Sequence, residues 1–173
     1  MELMDVVCSR KSVRSYTGEK VSEKTLQKIL KAGEASPVGG AQYDTLHFTV
    51  IEDASLLHEI DTTAAKVFGN PSIKPLYGAP TFILISSSGE LGNVNYSNAA
   101  IAAHNMSLAA VEEGAGQCLI WGAIRAINQS PEILKKLNLP EGFTPCCGVI
   151  VGKTNESYSA RQIPEDRIKT NRI

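Results

Sequence analysis

Two arginines, a lysine and a serine stand within five residues near the start of the chain, in Arg10-Lys11-Ser12-Val13-Arg14-Ser15-Tyr16. Planar guanidinium forks match the oxygens of a phosphate or carboxylate, and a serine hydroxyl adds a neutral donor. Alternating basic and small residues suit a segment that wraps an anion. In an extended segment Lys11 projects to the side opposite Arg10, Ser12 and Arg14. Charge runs are usually solvated surface, so taken alone the stretch reads first as a basic turn. A second stretch, Ser36-Pro37-Val38-Gly39-Gly40-Ala41-Gln42, is too rich in proline and glycine for regular structure. It is either a connector or a loop whose backbone approaches something flat. No Ser/His/Asp or Cys/His arrangement suggests side-chain nucleophilic catalysis. His47 reads as a strand residue and His58 as a helix-surface residue. His104, on an apolar helix, reads as a hydrogen-bonded core residue. Glu112 and Glu113 are expected to face solvent.

The elements that must position these groups follow from periodicity. Residues 2–9 form a short helix through Leu3, Val6 and Val7, and the basic stretch runs extended up to Gly18. A second helix starts at Ser22 as N-cap, with Glu23 in its first turn and Leu26, Ile29, Leu30 and Gly33 inward. Residues 46–51 alternate as a half-buried strand, and 54–68 form a helix that Asn70, Pro71 and Pro75 break. Tyr77-Gly78-Ala79-Pro80 turns into Thr81–Ile85, apolar on both faces as a central strand is. The longest helix, about 96–115, is apolar nearly all round and is therefore expected to be buried. Gln117–Trp121 is a short apolar segment ending at Gly122, followed by a helical piece carrying Ile124 and Ile127. Ser130-Pro131-Glu132 opens a helix to about Leu137, and 144–151 form a last strand. Three strands among helices imply one mixed sheet covered on both faces. Residues 152–173 are polar and aperiodic, which suggests pairing with a second copy.

The totals bound the possibilities. A chain of 173 residues with a net charge of −1 suits a single domain, 1–173, with a real core. Near-neutral charge argues against nucleic-acid or membrane-surface binding, and no apolar run approaches a membrane span. Cys8, Cys118, Cys146 and Cys147 lack metal spacing. Cys146 and Cys147, adjacent in a strand, should point to opposite faces. Buried reduced thiols and the absence of a signal region lead to an expected cytoplasmic location. No metal is expected.

Taken in order, these pieces resemble the nitroreductase family of FMN-dependent oxidoreductases. Arg10–Tyr16 looks like that family's R-R-S-[VI]-R-x-[FY] opening, and Ala35–Gln42 is similar to its A-P-S-A-x-N-x-Q loop. Tyr77–Pro80 resembles the turn before its central strand. Asn98–Glu113 into Gly114-Ala115-Gly116-Gln117-Cys118 resembles its N-x-x-L-A-A-x-x-x-G-L-G segment. Leu139–Phe143 and Gly148–Gly152 match its last strand. Gly40, Tyr43 and the order Ser36-Pro37 depart from the pattern, and the chain is short for the family.

The resemblance implies an α+β fold with a mixed, mainly antiparallel sheet flanked by helices, and a domain-swapped tail of about 152–173 that reaches the partner subunit. It implies a homodimer with FMN at the interface, where the loop Pro37, Val38, Gly39 covers the partner's flavin. Arg10 and Ser12 would hold the phosphate, with Lys11 counted in the same stretch, and Arg14 would lie near N1 and O2 of the ring. Asn70 would contact the ring, and the backbone of Trp121 and Gly122 would meet N5 and O4. Arg161 would be a late phosphate contact, with Arg167 its competitor. The implied activity passes hydride from NADH or NADPH through FMN to a nitroaromatic, quinone or similar acceptor by a ping-pong mechanism, with no catalytic side chain. A non-catalytic FMN carrier or flavin-based sensor is the alternative.

Overall fold

A computed structural model describes residues 2–89 and 92–173. In chain order the elements are α1 (Leu3–Ser9), α2 (Glu23–Glu34), β1 (Leu46–Ile51), α3 (Ala54–Val67), β2 (Thr81–Ser87), α4 (Asn93–Glu112), β3 (Gly116–Ile120), α5 (Gly122–Asn128), α6 (Pro131–Leu137) and β4 (Thr144–Gly152). Three helices start at side-chain caps. Ser22 caps α2 by accepting from the Thr25 amide at 3.1 Å, and Ser130 caps α6, with Pro131 at its first position. Asp53 caps α3 by accepting from the Leu56 amide at 2.8 Å.

The strands form one sheet in the order β1-β2-β4-β3. All three pairings are antiparallel, so within one chain the sheet lies at the antiparallel end of the expected mixed arrangement. Every residue of β2 is buried, as its two-sided apolar pattern requires. Phe82, Leu84 and Ile150 face a core shared with α3, α5 and α6, while Ile83, Ile85, Val149 and Val151 face α2 and α4. Helices therefore cover both faces.

Gln117–Ile120 is a strand, β3, and not merely an apolar segment. Alternation could not reveal it, because Gly116, Gln117 and Cys118 are all buried. The Gln117 amide satisfies itself internally: its Nε2 donates to the Lys11 carbonyl at 2.6 Å, and its Oε1 accepts from the Ser107 hydroxyl at 2.6 Å. Cys146 and Cys147 do not face opposite ways. The β2–β4 register slips between Ile85 and Ser86, and both thiols join the core on the α4 side. Burial pushes the Cys147 thiol up to about 12, so it stays protonated. All four cysteines are free.

The long helix corrects two more expectations. α4 buries one stripe, including Asn98, Ala102, Met106 and Ala110, but Val94, Tyr96, Ile101 and His104 lie on its exposed side. Its apolar residues exceed what one chain's core can cover. His104 is thus no core residue, and Glu113 is half-buried in an ion pair with Lys28.

The tail is also clearer than its composition. Lys153 exchanges backbone hydrogen bonds with Thr17 and Glu19, Thr154 Oγ1 donates to the Ser15 carbonyl at 2.8 Å, and the Arg161 amide donates to the Cys8 carbonyl at 3.2 Å. Residues 153–161 thus run back along 8–19 of the same chain. From Ser159 onward every residue is exposed.

Candidate functional site

The basic stretch has no regular structure of its own and is stitched into place from one side. The Arg10 amide donates to Val6 at the end of α1, the Val13 amide donates to Gln117 of β3 at 2.8 Å, and the Val13 side chain is fully buried. The Tyr16 hydroxyl donates to the Val13 carbonyl at 3.0 Å, and burial raises its pKa. These ties fix the segment, and alternation along extended backbone would set Arg10, Ser12 and Arg14 opposite the side that Val13 buries. Lys11 goes elsewhere, into an ion pair with Glu156 at 2.8 Å. That ion pair holds the Glu156 carboxylate below its usual range.

Arg161 sits directly behind Arg10. Its Nε donates to the Cys8 carbonyl at 2.9 Å and its Nη2 to the Arg10 carbonyl at 2.6 Å. Two of its five donors thus fasten the end of α1, and the others remain for a ligand. Arg167 lies among the exposed residues of the tail. Partial burial, and then the Arg10 charge, lower the pKa of His104.

Arg14 leads to the other half of the site. Its guanidinium lies over the Tyr77 ring, 5.5 Å from the centroid. Tyr77 has a left-handed φ of 51°, a conformation that a bulky side chain adopts only when its surroundings enforce it. Tyr77, Pro75, Lys74, Phe68 and Gly122 line an open cleft of about 630 Å³. Trp121, 52% exposed, precedes Gly122 and is the N-cap of α5; its side chain caps no amide there, and its carbonyl accepts from the Ile124 amide at 3.1 Å. A Cβ at Gly122 would touch nothing nearer than Pro75 at 3.6 Å, so a flat ligand can approach the backbone there. Asn70 is at the head of the same loop, where its Oδ1 accepts from the Ser72 amide at 2.9 Å.

Pro37, Val38 and Gly39 lie apart from this cluster. The Gly39 amide donates to Asn98 Oδ1 at 3.1 Å, and Asn105 Nδ2 donates to the Ser36 hydroxyl at 2.8 Å, so α4 carries the loop. Among the described residues no hydrogen bond, ion pair or ring contact joins the loop to the basic stretch. Tyr77 and Phe68 emerged as site residues only in three dimensions. Sequence offered for them no more than a turn motif and a helix end. No cluster of His, Cys, Asp or Glu suited to a metal occurs among the described residues.

The sheet and its two helical layers define an α+β protein, with Arg10, Arg14 and Arg161 gathered along its first extended segment. The sequence model of the Nitroreductase family matches residues 7–153, and the chain belongs to that family. It is 25% identical over 178 residues to a Methanothermobacter thermautotrophicus protein named "Putative NADH dehydrogenase/NAD(P)H nitroreductase", covering 97% of this chain and 86% of that one. It resembles a nitroreductase from Bacteroides fragilis crystallised with bound FMN (TM-score 0.86, 23% identity, 99% and 100% of the two chains covered). It also resembles an FMN-dependent nitroreductase from Clostridium difficile (TM-score 0.78, 26% identity, 99% and 100% covered).

Proposed function

We propose that this protein is an FMN-dependent oxidoreductase that takes hydride from NADH or NADPH and delivers it to a nitroaromatic, quinone or similar acceptor. The observation that carries this reading is the donor set. Arg10, Ser12 and Arg14 alternate along one fixed segment, Arg161 is fastened to the Arg10 carbonyl, and Arg14 lies over Tyr77 in the wall of the cleft that includes Gly122. Arg10, Ser12 and Arg161 would hold the FMN phosphate. Arg14 would face N1 and O2, where a cation favours the reduced ring. Asn70 and the backbone of Trp121 and Gly122 would meet the rest of the ring. FMN, when bound, supplies the hydride relay. The chain binds it, holds positive charge near it and keeps one cleft for donor and acceptor in turn, which is a ping-pong arrangement. Lys11, paired with Glu156, takes no part.

We place the complete site in a homodimer. The support is surface that one chain leaves apolar: Leu3, Met4 and Val7 on α1, and Val94, Tyr96 and Ile101 on α4, next to the Pro37–Gly39 loop. In this reading the loop covers the partner's flavin, and the tail beyond Arg161 adds a strand at the edge of the partner's sheet. Sedimentation at micromolar concentration should show a dimer. A monomer that retains flavin would refute the shared site.

The deciding experiment is optical. The purified protein should be yellow, release FMN on denaturation and bleach under anaerobic conditions on addition of NADH or NADPH. A colourless protein that cannot be reconstituted would overturn the reading. A yellow protein that neither nicotinamide bleaches would be a flavin carrier or sensor instead.

A further inference from the structure

The cleft beside Gly122 carries positive charge that flavin binding does not use. Phe68 and Tyr77, 39% and 40% exposed, stand on its walls, and no acidic side chain lines it. Arg125 of α5 lies over the Phe68 ring, 5.9 Å from the centroid. Among the described residues Arg125 pairs with no carboxylate. Lys74 also lines the cleft, but Asp61 faces it from the neighbouring hollow, so its charge is shared. Arg125 does not itself line the cleft; it is the cation without a carboxylate partner that lies over the ring of Phe68, one of the cleft's wall residues.

We propose that Arg125 and Phe68 form an acceptor subsite selecting planar aromatic substrates that carry an anionic substituent, such as aryl carboxylates or sulfonates. This rests on the oxidoreductase reading above. The ring of such a substrate would lie against Phe68, while its anionic group meets the guanidinium. A guanidinium already stacked on an aromatic face loses little freedom when it accepts a second partner. A neutral acceptor of the same shape would gain the stacking but not the charge. Specificity here is a difference between two affinities, and the missing acid in the wall contributes as much as the arginine.

The experiment compares 1,4-naphthoquinone-2-sulfonate with 2-methyl-1,4-naphthoquinone as acceptors for the flavin-loaded protein. Arg125→Gln should lower kcat/KM for the sulfonate about threefold to fivefold, the scale of an exposed ion pair, and leave the neutral quinone within about twofold. Arg125→Glu should lower the sulfonate value further, and Arg125→Lys should restore most of it. Added salt should slow the sulfonate alone. A purely structural Arg125, acting by propping Phe68, would move both quinones together, and that result would overturn the proposal. Calorimetric titration with naphthalene-2-sulfonate and naphthalene-2-sulfonamide gives a second reading without turnover. Tighter sulfonate binding that disappears in Arg125→Gln supports the subsite even if neither quinone is reduced, an outcome that would sink only the functional reading. Equal binding of the two in the parent protein would end the proposal.

Discussion

Alanine in place of Gly148 is expected to lower the thermal midpoint by about 6–12 °C, corresponding to about 3 kcal/mol for a domain of this size. Gly148 lies in β4, between Leu84 of β2 and Ile120 of β3, in the middle of the sheet. A Cβ there would strike Cε2 of Phe82, come within 2.8 Å of its Cζ, and lie 2.6 Å from the Ile83 carbonyl oxygen. Phe82 is fully buried, so its ring has nowhere to go, and the carbonyl belongs to the neighbouring strand. The glycine is a shelf for the ring. Gly33→Ala is the control. There the added carbon meets Cε of Met106, the far end of a buried but flexible side chain, with Met106 Cγ at 3.0 Å and Phe48 Cε2 at 3.2 Å, and alanine favours α2 over glycine by up to about 1 kcal/mol, so the loss should be smaller. Differential scanning calorimetry of both variants tests the contrast. A Gly148→Ala protein that melts within two or three degrees of its parent would show that the ring does not rest there.

That shelf illustrates which parts of the fold were legible in the sequence. Gly148 sits in an apolar run that reads plainly as a strand, and the caps at Ser22 and Ser130 read as plainly as helix starts. These signals are local. β3 was not legible as a strand, because it is made one by pairing with β4, about 30 residues on, and its buried Gln117 is satisfied by Lys11 and Ser107, 106 and 10 residues away. His104 failed for a related reason. Helical periodicity says that α4 is apolar, but one chain covers only part of that surface, so the exposed stripe shows only once the other helices are placed. The tail shows the same limit. Its composition suggested a partner only on a second copy, whereas backbone hydrogen bonds tie 153–161 to the chain's own start.

The site divides along the same line. Arg10, Ser12 and Arg14 could be chosen from the sequence because extended backbone alternates its side chains, and the structure fixes that segment. The same alternation separates Lys11, whose ion pair with Glu156 gives its charge a specific place. The Phe68–Tyr77 wall was illegible, since no spacing connects a helix end, a left-handed turn residue and the start of α5. Arg14 supplies the physical link, lying over the ring of Tyr77 in that wall.

The largest functional effect should follow from Arg10→Ala, and comparing FMN with riboflavin separates its role from that of Arg14. Losing one charge-assisted hydrogen bond costs about 1.5–3 kcal/mol, so FMN affinity should fall roughly tenfold to a hundredfold. Riboflavin has no phosphate, and its affinity should be almost untouched by the same change. Arg14→Ala should weaken both ligands alike, because its guanidinium lies at the ring end beside Tyr77. Arg161→Ala should resemble Arg10→Ala in sign while acting partly through the backbone, since its hydrogen bonds to the Cys8 and Arg10 carbonyls fix where Arg10 stands. Lys11→Ala should leave both affinities within about twofold, the scale of an exposed ion pair. Flavin fluorescence titration of the stripped parent and of each stripped variant, with FMN and with riboflavin, gives these constants. Equal losses of FMN and riboflavin in Arg10→Ala would place that arginine at the ring and not at the phosphate. An FMN affinity unchanged in Arg10→Ala would remove the basic stretch from the site, leaving the cluster at Arg14, Tyr77 and Gly122 to account for any flavin bound.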